Sequence, residues 1–184
     1  MRPHHVRDVL FTSDQIQQRV RILIQEIAET CEAENLVMIG ILRGSFIFLA
    51  DLVRGFAAHN LHPRIDFITL SSYGSGTESG GTVNLTHDTD QDLRGADVVI
   101  VDDILDSGRT LEFAKELFLK RGARSVRTCV LLDKKANRSV KITADYTGFP
   151  VDNVFVVGYG LDYDNRYREL PHIAKVTFEN GIME

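Results

Sequence analysis

A chain of 184 residues with 43% hydrophobic and 26% charged side chains is long enough to bury a core without disulfide or metal staples, and its composition is that of an ordinary globular protein. The formal net charge of -5 argues against a broad nucleic-acid surface, because affinity for a phosphate backbone rests on clustered Lys and Arg. The longest apolar runs, LVMIGIL and FIFLADLV, fall far short of a membrane span, so one domain over residues 1–184 and no bilayer crossing are expected.

Thr12-Ser13-Asp14-Gln15 reads as a capping box, and Ile16, Val20, Leu23, Ile27 and Cys31 follow at helical spacing, which predicts an amphipathic helix over 13–32. His4 and His5, ahead of it, are expected in a frayed terminus. The apolar run 36–42 predicts a buried strand, Arg43-Gly44-Ser45 a tight loop, and the stretch to about Asn60 a second helix. RIDFITLSSY alternates as a strand over 64–73, GSGTESGGT over 74–82 has the composition of a flexible flap, and 83–88 returns as a strand.

A further apolar strand, 97–102, leads into the helix LEFAKELFLKRG, with Gly122 as its C-cap. Strands SVRTCVLLD, 125–133, and VFVVGYG, 154–160, complete the pattern. Four apolar strands interleaved with helices predict a doubly wound, mainly parallel α/β sheet, whose ligands gather outside the carboxyl ends of the strands. Cys31 and Cys129 have no CxxC spacing and no adjacent His, so two reduced thiols in a cytoplasmic protein are expected.

The chemistry concentrates in VVIVDDILDSGRTL, 98–111. The backbone N–H groups around Gly108, the hydroxyls of Ser107 and Thr110 and the N-terminus of the next helix would converge on an anion, for which one phosphate is the natural occupant. The chain has neither GxxxxGK[ST] nor a GxGxxG after a strand, so nucleoside triphosphate and dinucleotide binding lose support. Asp102 and Asp103 would repel a phosphate set directly on them and suit sugar hydroxyls or a hard cation such as Mg²⁺; a phosphorylated sugar satisfies both halves of the motif. A solvated acidic loop is the plainer alternative. DTDQDLRG and DYDN lack the Gly and Glu of a calcium loop, and His59 and His62 lack the partners of a zinc site.

VVIVDDILDSGRTL resembles the phosphoribosyl pyrophosphate-binding signature of type I phosphoribosyltransferases, and the chain from about Leu36 to Val176 is similar to the hypoxanthine-guanine branch of that family. The resemblance implies an α/β sheet with a small hood and a flexible active-site loop. It implies that Asp102 and Asp103 hold the ribose hydroxyls, that Ser107, Gly108, Arg109 and Thr110 bind the 5′-phosphate, and that Asp106 accepts the proton of purine N7. Asp102 stands where the family more often has Glu.

By the same resemblance Leu42, Arg43 and Gly44 form a pyrophosphate-binding turn, which in relatives carries a non-proline cis peptide before the basic residue. Lys134 would donate to the exocyclic oxygen on C6, selecting 6-oxopurines, while Lys135 beside it reads as a solvated charge. Phe155 would stack on the base, the Val156 backbone would meet its Watson–Crick edge, and Arg168 would bind pyrophosphate. Asp162, with Asp102 and Asp103, would hold Mg²⁺, and Ser72 and Tyr73 would lie on the mobile loop. The implied partners are phosphoribosyl pyrophosphate, a 6-oxopurine base and further copies of the chain, as a dimer or tetramer.

Two other classes compete. VVIVDD also looks like the first strand of a response-regulator receiver, where an acidic pair binds Mg²⁺, although receivers begin with that strand and here it starts near residue 97. A non-catalytic regulator on the phosphoribosyltransferase fold, binding nucleic acid, is the third reading, and the acidic balance weighs against it.

Overall fold

The computed structural model describes residues 2–31, 33–73 and 82–178. In chain order the first elements are β1 (His4–Phe11), α1 (Ser13–Thr30), β2 (Leu36–Leu42), α2 (Phe46–Phe56), β3 (Arg64–Tyr73) and β4 (Thr82–His87). Then follow β5 (Asp97–Leu105), α3 (Arg109–Lys120), β6 (Ser125–Asp133), β7 (Tyr146–Pro150), β8 (Phe155–Val157) and β9 (Ile173–Phe178).

Six strands form one sheet in the order β4-β3-β2-β5-β6-β7, parallel throughout except for β4, which runs antiparallel to β3. Continuous apolar strands suit this sheet because both of its faces are covered. Along β2, Leu36 and Met38 join a buried cluster with Ile16, Leu23 and Ile27 of α1 and Phe48, Leu52 and Phe56 of α2. The alternate residues Val37, Ile39 and Ile41 join a second cluster with Leu111, Ala114 and Phe118 of α3. The capping box of α1 is formed: Gln15 N donates to Thr12 Oγ1 at 3.3 Å and Thr12 N to Gln15 Oε1 at 2.9 Å. Ile16, Val20, Leu23, Ile24 and Ile27 are its buried stripe, and at about 1.5–3 kcal/mol for each such side chain they fasten α1 to the sheet.

Three expectations are corrected. His4 and His5 do not fray: they open β1, which pairs antiparallel with β9, placing His4 opposite Phe178. The apolar run at 154–160 supplies β8, which pairs antiparallel with β9 in a separate sheet of order β1-β9-β8, and β7 takes the parallel place beside β6 instead. β5 continues to Leu105, beyond the expected end at Asp102, so Asp103 also lies inside the strand. The small sheet makes the expected hood, and its Val156 and Ile173 belong to the same buried cluster as α1 and α2. Gly122, with φ +85°, follows α3 in the left-handed conformation that ends a helix.

The Gly-rich flap at 74–81 and the side chains of Ser72 and Tyr73 lie outside the described residues. Among the described residues no helix is long and apolar enough to cross a membrane.

Candidate active site

β5 delivers its acids to the carboxyl edge of the sheet, Asp102 buried and Asp103 half-buried. Asp102 is 8% exposed, and its Oδ1 accepts from Asp103 N at 3.0 Å; Asp103 Oδ1 accepts from Ile104 N at 2.9 Å. Burial, and next the negative charge of Asp103, push Asp102 well above the usual carboxylate range. Burial also raises Asp103, against hydrogen bonds from Asp102 and the backbone and the charge of Arg168.

A carboxylate pair of this kind has the chemistry to suit a hard cation. Mg²⁺ is held by one or two carboxylates and completes its shell with water and substrate oxygens, so it fits here without a cage of protein ligands. Among the described residues no three His, Cys, Asp or Glu side chains converge on one point. Asp162 accordingly does not close a trio with Asp102 and Asp103: its Oδ1 lies 2.7 Å from Arg168 Nη2.

The anion loop follows directly. Gly108 adopts φ +86° as the residue before α3, and a Cβ there would lie 2.5 Å from Ile142 Cγ2 and 2.9 Å from Val140 Cγ2. The turn aims the amino end of α3, with Arg109 and Thr110 in its first turn, at the loop, where the helix dipole favours negative charge. Arg109 N donates to Ser107 Oγ at 3.4 Å, and its guanidinium Nε donates to Ser139 Oγ at 3.0 Å.

Residues 137–142 brace this loop from behind, a role that sequence reading missed. Ser139 N donates to Ser107 O at 2.9 Å. Arg138 donates to Asp106 O at 2.9 Å, to Leu105 O at 3.2 Å and to Asp133 Oδ1 at 2.5 Å. Nothing in the spacing of ANRSVKI marks such a brace, because most of its bonds go to backbone carbonyls that any sequence would present.

On the base side, Lys134 N donates to Leu105 O at 2.9 Å, which brings Lys134 Nζ within 3.9 Å of Asp106 Oδ2. Asp106 Oδ1 is buried and has no hydrogen-bond partner among the described residues. Lys135 turns away into the short helical turn Lys135–Asn137 and is exposed. Phe155 meets Tyr163 and Phe178 edge-on, with centroids 5.6 Å and 5.8 Å away, and Val156 beside it is buried.

The third side is a set of close backbone approaches. The Leu42–Arg43 peptide is cis. A Cβ on Gly44 would lie 1.5 Å from Asp103 Oδ2, and one on Gly160 would lie 2.1 Å from Gly44 O, so both positions require glycine. Arg43 Nη1 donates to Asn165 Oδ1 at 3.1 Å, and Arg168 Nη1 donates to Gly160 O at 2.7 Å. The connecting segment holds Tyr159, Asp164, Asn165 and Tyr167 at positive φ, between 50° and 74°, strain of the sort that collects at functional sites. The structure thus brings Arg43, Gly44, Asp102, Asp103, Asp162 and Arg168 to one edge, and joins it through Asp106 to the anion loop and Lys134.

The chain matches the phosphoribosyl transferase domain over residues 8–164. It is 42% identical over 182 residues to the hypoxanthine phosphoribosyltransferase of Haemophilus influenzae, which covers 97% of this chain and 99% of that one. It is 44% identical over 169 residues to the bifunctional protein TilS/HprT of Listeria monocytogenes, covering 92% of this chain but 26% of that protein, so the chain spans about a quarter of such bifunctional relatives. Its fold matches a hypoxanthine-guanine phosphoribosyltransferase from Bacillus anthracis with TM-score 0.87 at 39% identity, over 95% of this chain and all of that one. With the acidic strand end, the anion loop and the glycine-lined turn all in place, these likenesses have a structural basis: the chain belongs to the type I phosphoribosyltransferase family, in its hypoxanthine-guanine branch.

Proposed function

We propose that the chain transfers the 5-phosphoribosyl group of phosphoribosyl pyrophosphate to N9 of hypoxanthine or guanine, giving the nucleoside monophosphate and pyrophosphate in purine salvage. The observation that carries this reading is Asp106 beside Lys134: a buried carboxylate oxygen without a partner, and an ammonium 3.9 Å from the other oxygen. A 6-oxopurine presents a matching edge, N7–H to the carboxylate and the C6 oxygen to the ammonium, whereas adenine offers an amino group that Lys134 would repel.

In this mechanism Asp102 and Asp103 orient the ribose, and the amides and hydroxyls of Ser107, Gly108, Arg109 and Thr110 grip the 5′-phosphate. Phe155 and the Val156 backbone hold the base. As the bond from C1 to pyrophosphate breaks, purine N9 attacks C1 and the N7 proton passes to Asp106. Arg168 and the Leu42-Arg43-Gly44 turn stabilise charge on the departing pyrophosphate. Asp102 and Asp103, with Asp162, would hold Mg²⁺, which would supply positive charge to offset the negative charge developing on pyrophosphate. Ser72 and Tyr73 would begin the loop that excludes water.

The protein is read as one domain that works in the cytoplasm, where its buried free thiols Cys31 and Cys129 suit a reducing setting, and that assembles as a dimer or tetramer of itself. Pyrophosphate release is to be measured with phosphoribosyl pyrophosphate, Mg²⁺ and each of hypoxanthine, guanine, xanthine and adenine. Release with hypoxanthine or guanine and none with adenine is expected; silence with all four bases would overturn the reading.

A further inference from the structure

Tyr159 and Asp51 belong to none of the groups assigned above, yet they join the two segments that face the pyrophosphate. Tyr159 is 5% exposed and sits at φ 50° immediately before Gly160. Its hydroxyl donates to Asp51 Oδ2 at 2.5 Å, across 108 positions of sequence. Asp51 stands in the second turn of α2, the helix into which the Arg43-Gly44 turn leads. Backbone bonds fix the other side: Tyr159 N donates to Leu170 O at 2.8 Å, and Gly160 N to Arg168 O at 3.0 Å.

We propose that the Tyr159–Asp51 hydrogen bond is a positioning contact: it clamps the segment carrying Asp162 and Arg168 onto the Arg43-Gly44 turn and keeps the two halves of the pyrophosphate site in register. The clamp acts where the tolerance is smallest. Gly160 rests so closely on the carbonyl of Gly44, and Gly44 on the carboxylate of Asp103, that neither contact leaves room for a methyl group. A shift of α2 against the 158–168 segment would therefore open or collide these contacts before it disturbed anything else. A charged acceptor makes the bond stronger than a neutral one would, and Asp51 is itself held by Arg54. Burial, followed by the adjoining Asp51, pushes the Tyr159 phenol far above its ordinary value, so it stays a donor throughout the physiological range.

The proposal rests on the phosphoribosyl-transfer reading, and its test separates the two. Tyr159→Phe retains the ring and its packing and removes only the donor. In folded protein, KM for phosphoribosyl pyrophosphate, and for pyrophosphate in the reverse direction, should rise about tenfold, with KM for hypoxanthine moving less than about twofold. Asp51→Asn, which keeps a neutral acceptor, should give a smaller rise of the same kind, and the double variant should be no worse than Tyr159→Phe alone. If Tyr159→Phe does not fold, Asp51→Asn carries the same comparison. Variants that lose turnover only in proportion to their folded fraction, with every KM unchanged, overturn the positioning role and leave the transfer reading intact. A wild-type chain that releases no pyrophosphate with any base overturns both.

Discussion

At the amino end of β5 the buried Asp97 is met by Arg124, through Nε at 3.1 Å and Nη2 at 2.6 Å, and by Ser125 Oγ at 2.6 Å. At the carboxyl end, five residues on, the buried Asp102 and the half-buried Asp103 accept from backbone amides, and desolvation raises both, Asp102 the further. One strand therefore carries acid at both ends, with a cation bonded to Asp97 and, among the described residues, none bonded to Asp102 or Asp103, although the charge of Arg168 reaches Asp103. A compensated charge is part of the architecture; an uncompensated one costs stability and persists where a ligand completes it. On the proposed reading, the difference is the one between a structural acid and acids that await a ligand.

The comparison can be broken most decisively just beyond the carboxyl end. Asp106→Asn should lower kcat by about 10²–10⁴, the range of a general base, while thermal unfolding changes little, because the buried Oδ1 has no hydrogen-bond partner to lose and the Oδ2 contacts with Lys134 and Asn137 are long, 3.9 Å and 3.5 Å. Asp103→Asn should raise KM for phosphoribosyl pyrophosphate about tenfold or more, and the melting temperature should hold or rise as a buried charge is removed. A drop in melting temperature would place the pair with the architecture. At the amino end the pattern inverts: Asp97→Asn should cost about 1–3 kcal/mol in urea unfolding and leave kcat per folded molecule as it was. The 41% exposure of the Arg124 side chain keeps that cost below the cost of breaking a fully buried pair.

The smallest effect is on acid stability, and it comes from acids outside β5. Burial works to raise Asp66, but Thr89 Oγ1 and the amides of Phe67 and Asp90 hold it below the ordinary 3.8. Arg121, forming two hydrogen bonds, does the same for Asp88. The unfolded chain then binds more protons than the folded one between each lowered value and 3.8, so stability should fall as pH drops through that window. Thr89→Val should flatten the slope of unfolding free energy against pH below 4, measured by urea titration, and a slope as steep as that of the wild type would remove Asp66 from the account.

The parts of the fold that depend on local pattern were legible. LVMIGIL and the run from Val98 are apolar on both faces, Thr12 and Gln15 make a box with each other, and the glycine after α3 ends it as glycine should. What escaped depends on distant partners. HHVRDVLF is polar enough to pass for a loose end, and Asp8 at φ 55° breaks its alternation; β9, more than 160 residues away, is what makes it a strand. YTGFP, with its Gly and Pro, carries no strand pattern, and it forms a strand by lying at the edge of the sheet, where a missing N–H is tolerated. The segment from Phe155 has the composition of a central parallel strand, and composition carries no information about which sheet it joins. Within the candidate site, the side chains that adjoin one another along residues 102–110 stand together in the sequence, whereas the brace of Asn137, Arg138 and Ser139 reaches the Asp106 carboxylate and the carbonyls of Asp106 and Ser107 from 31 or 32 positions away and left no signature.

The strand bearing Phe155 is held by β9, and β9 by β1, so on the proposed reading one wall of the base site depends on residues far apart in the chain. The proposed sugar-phosphate site, in contrast, lies within a short stretch around β5 and the start of α3. A pairing as distant in sequence as His4 with Phe178 closes later than local ones, so the base side of the proposed site is expected to order after the anion loop when the chain folds.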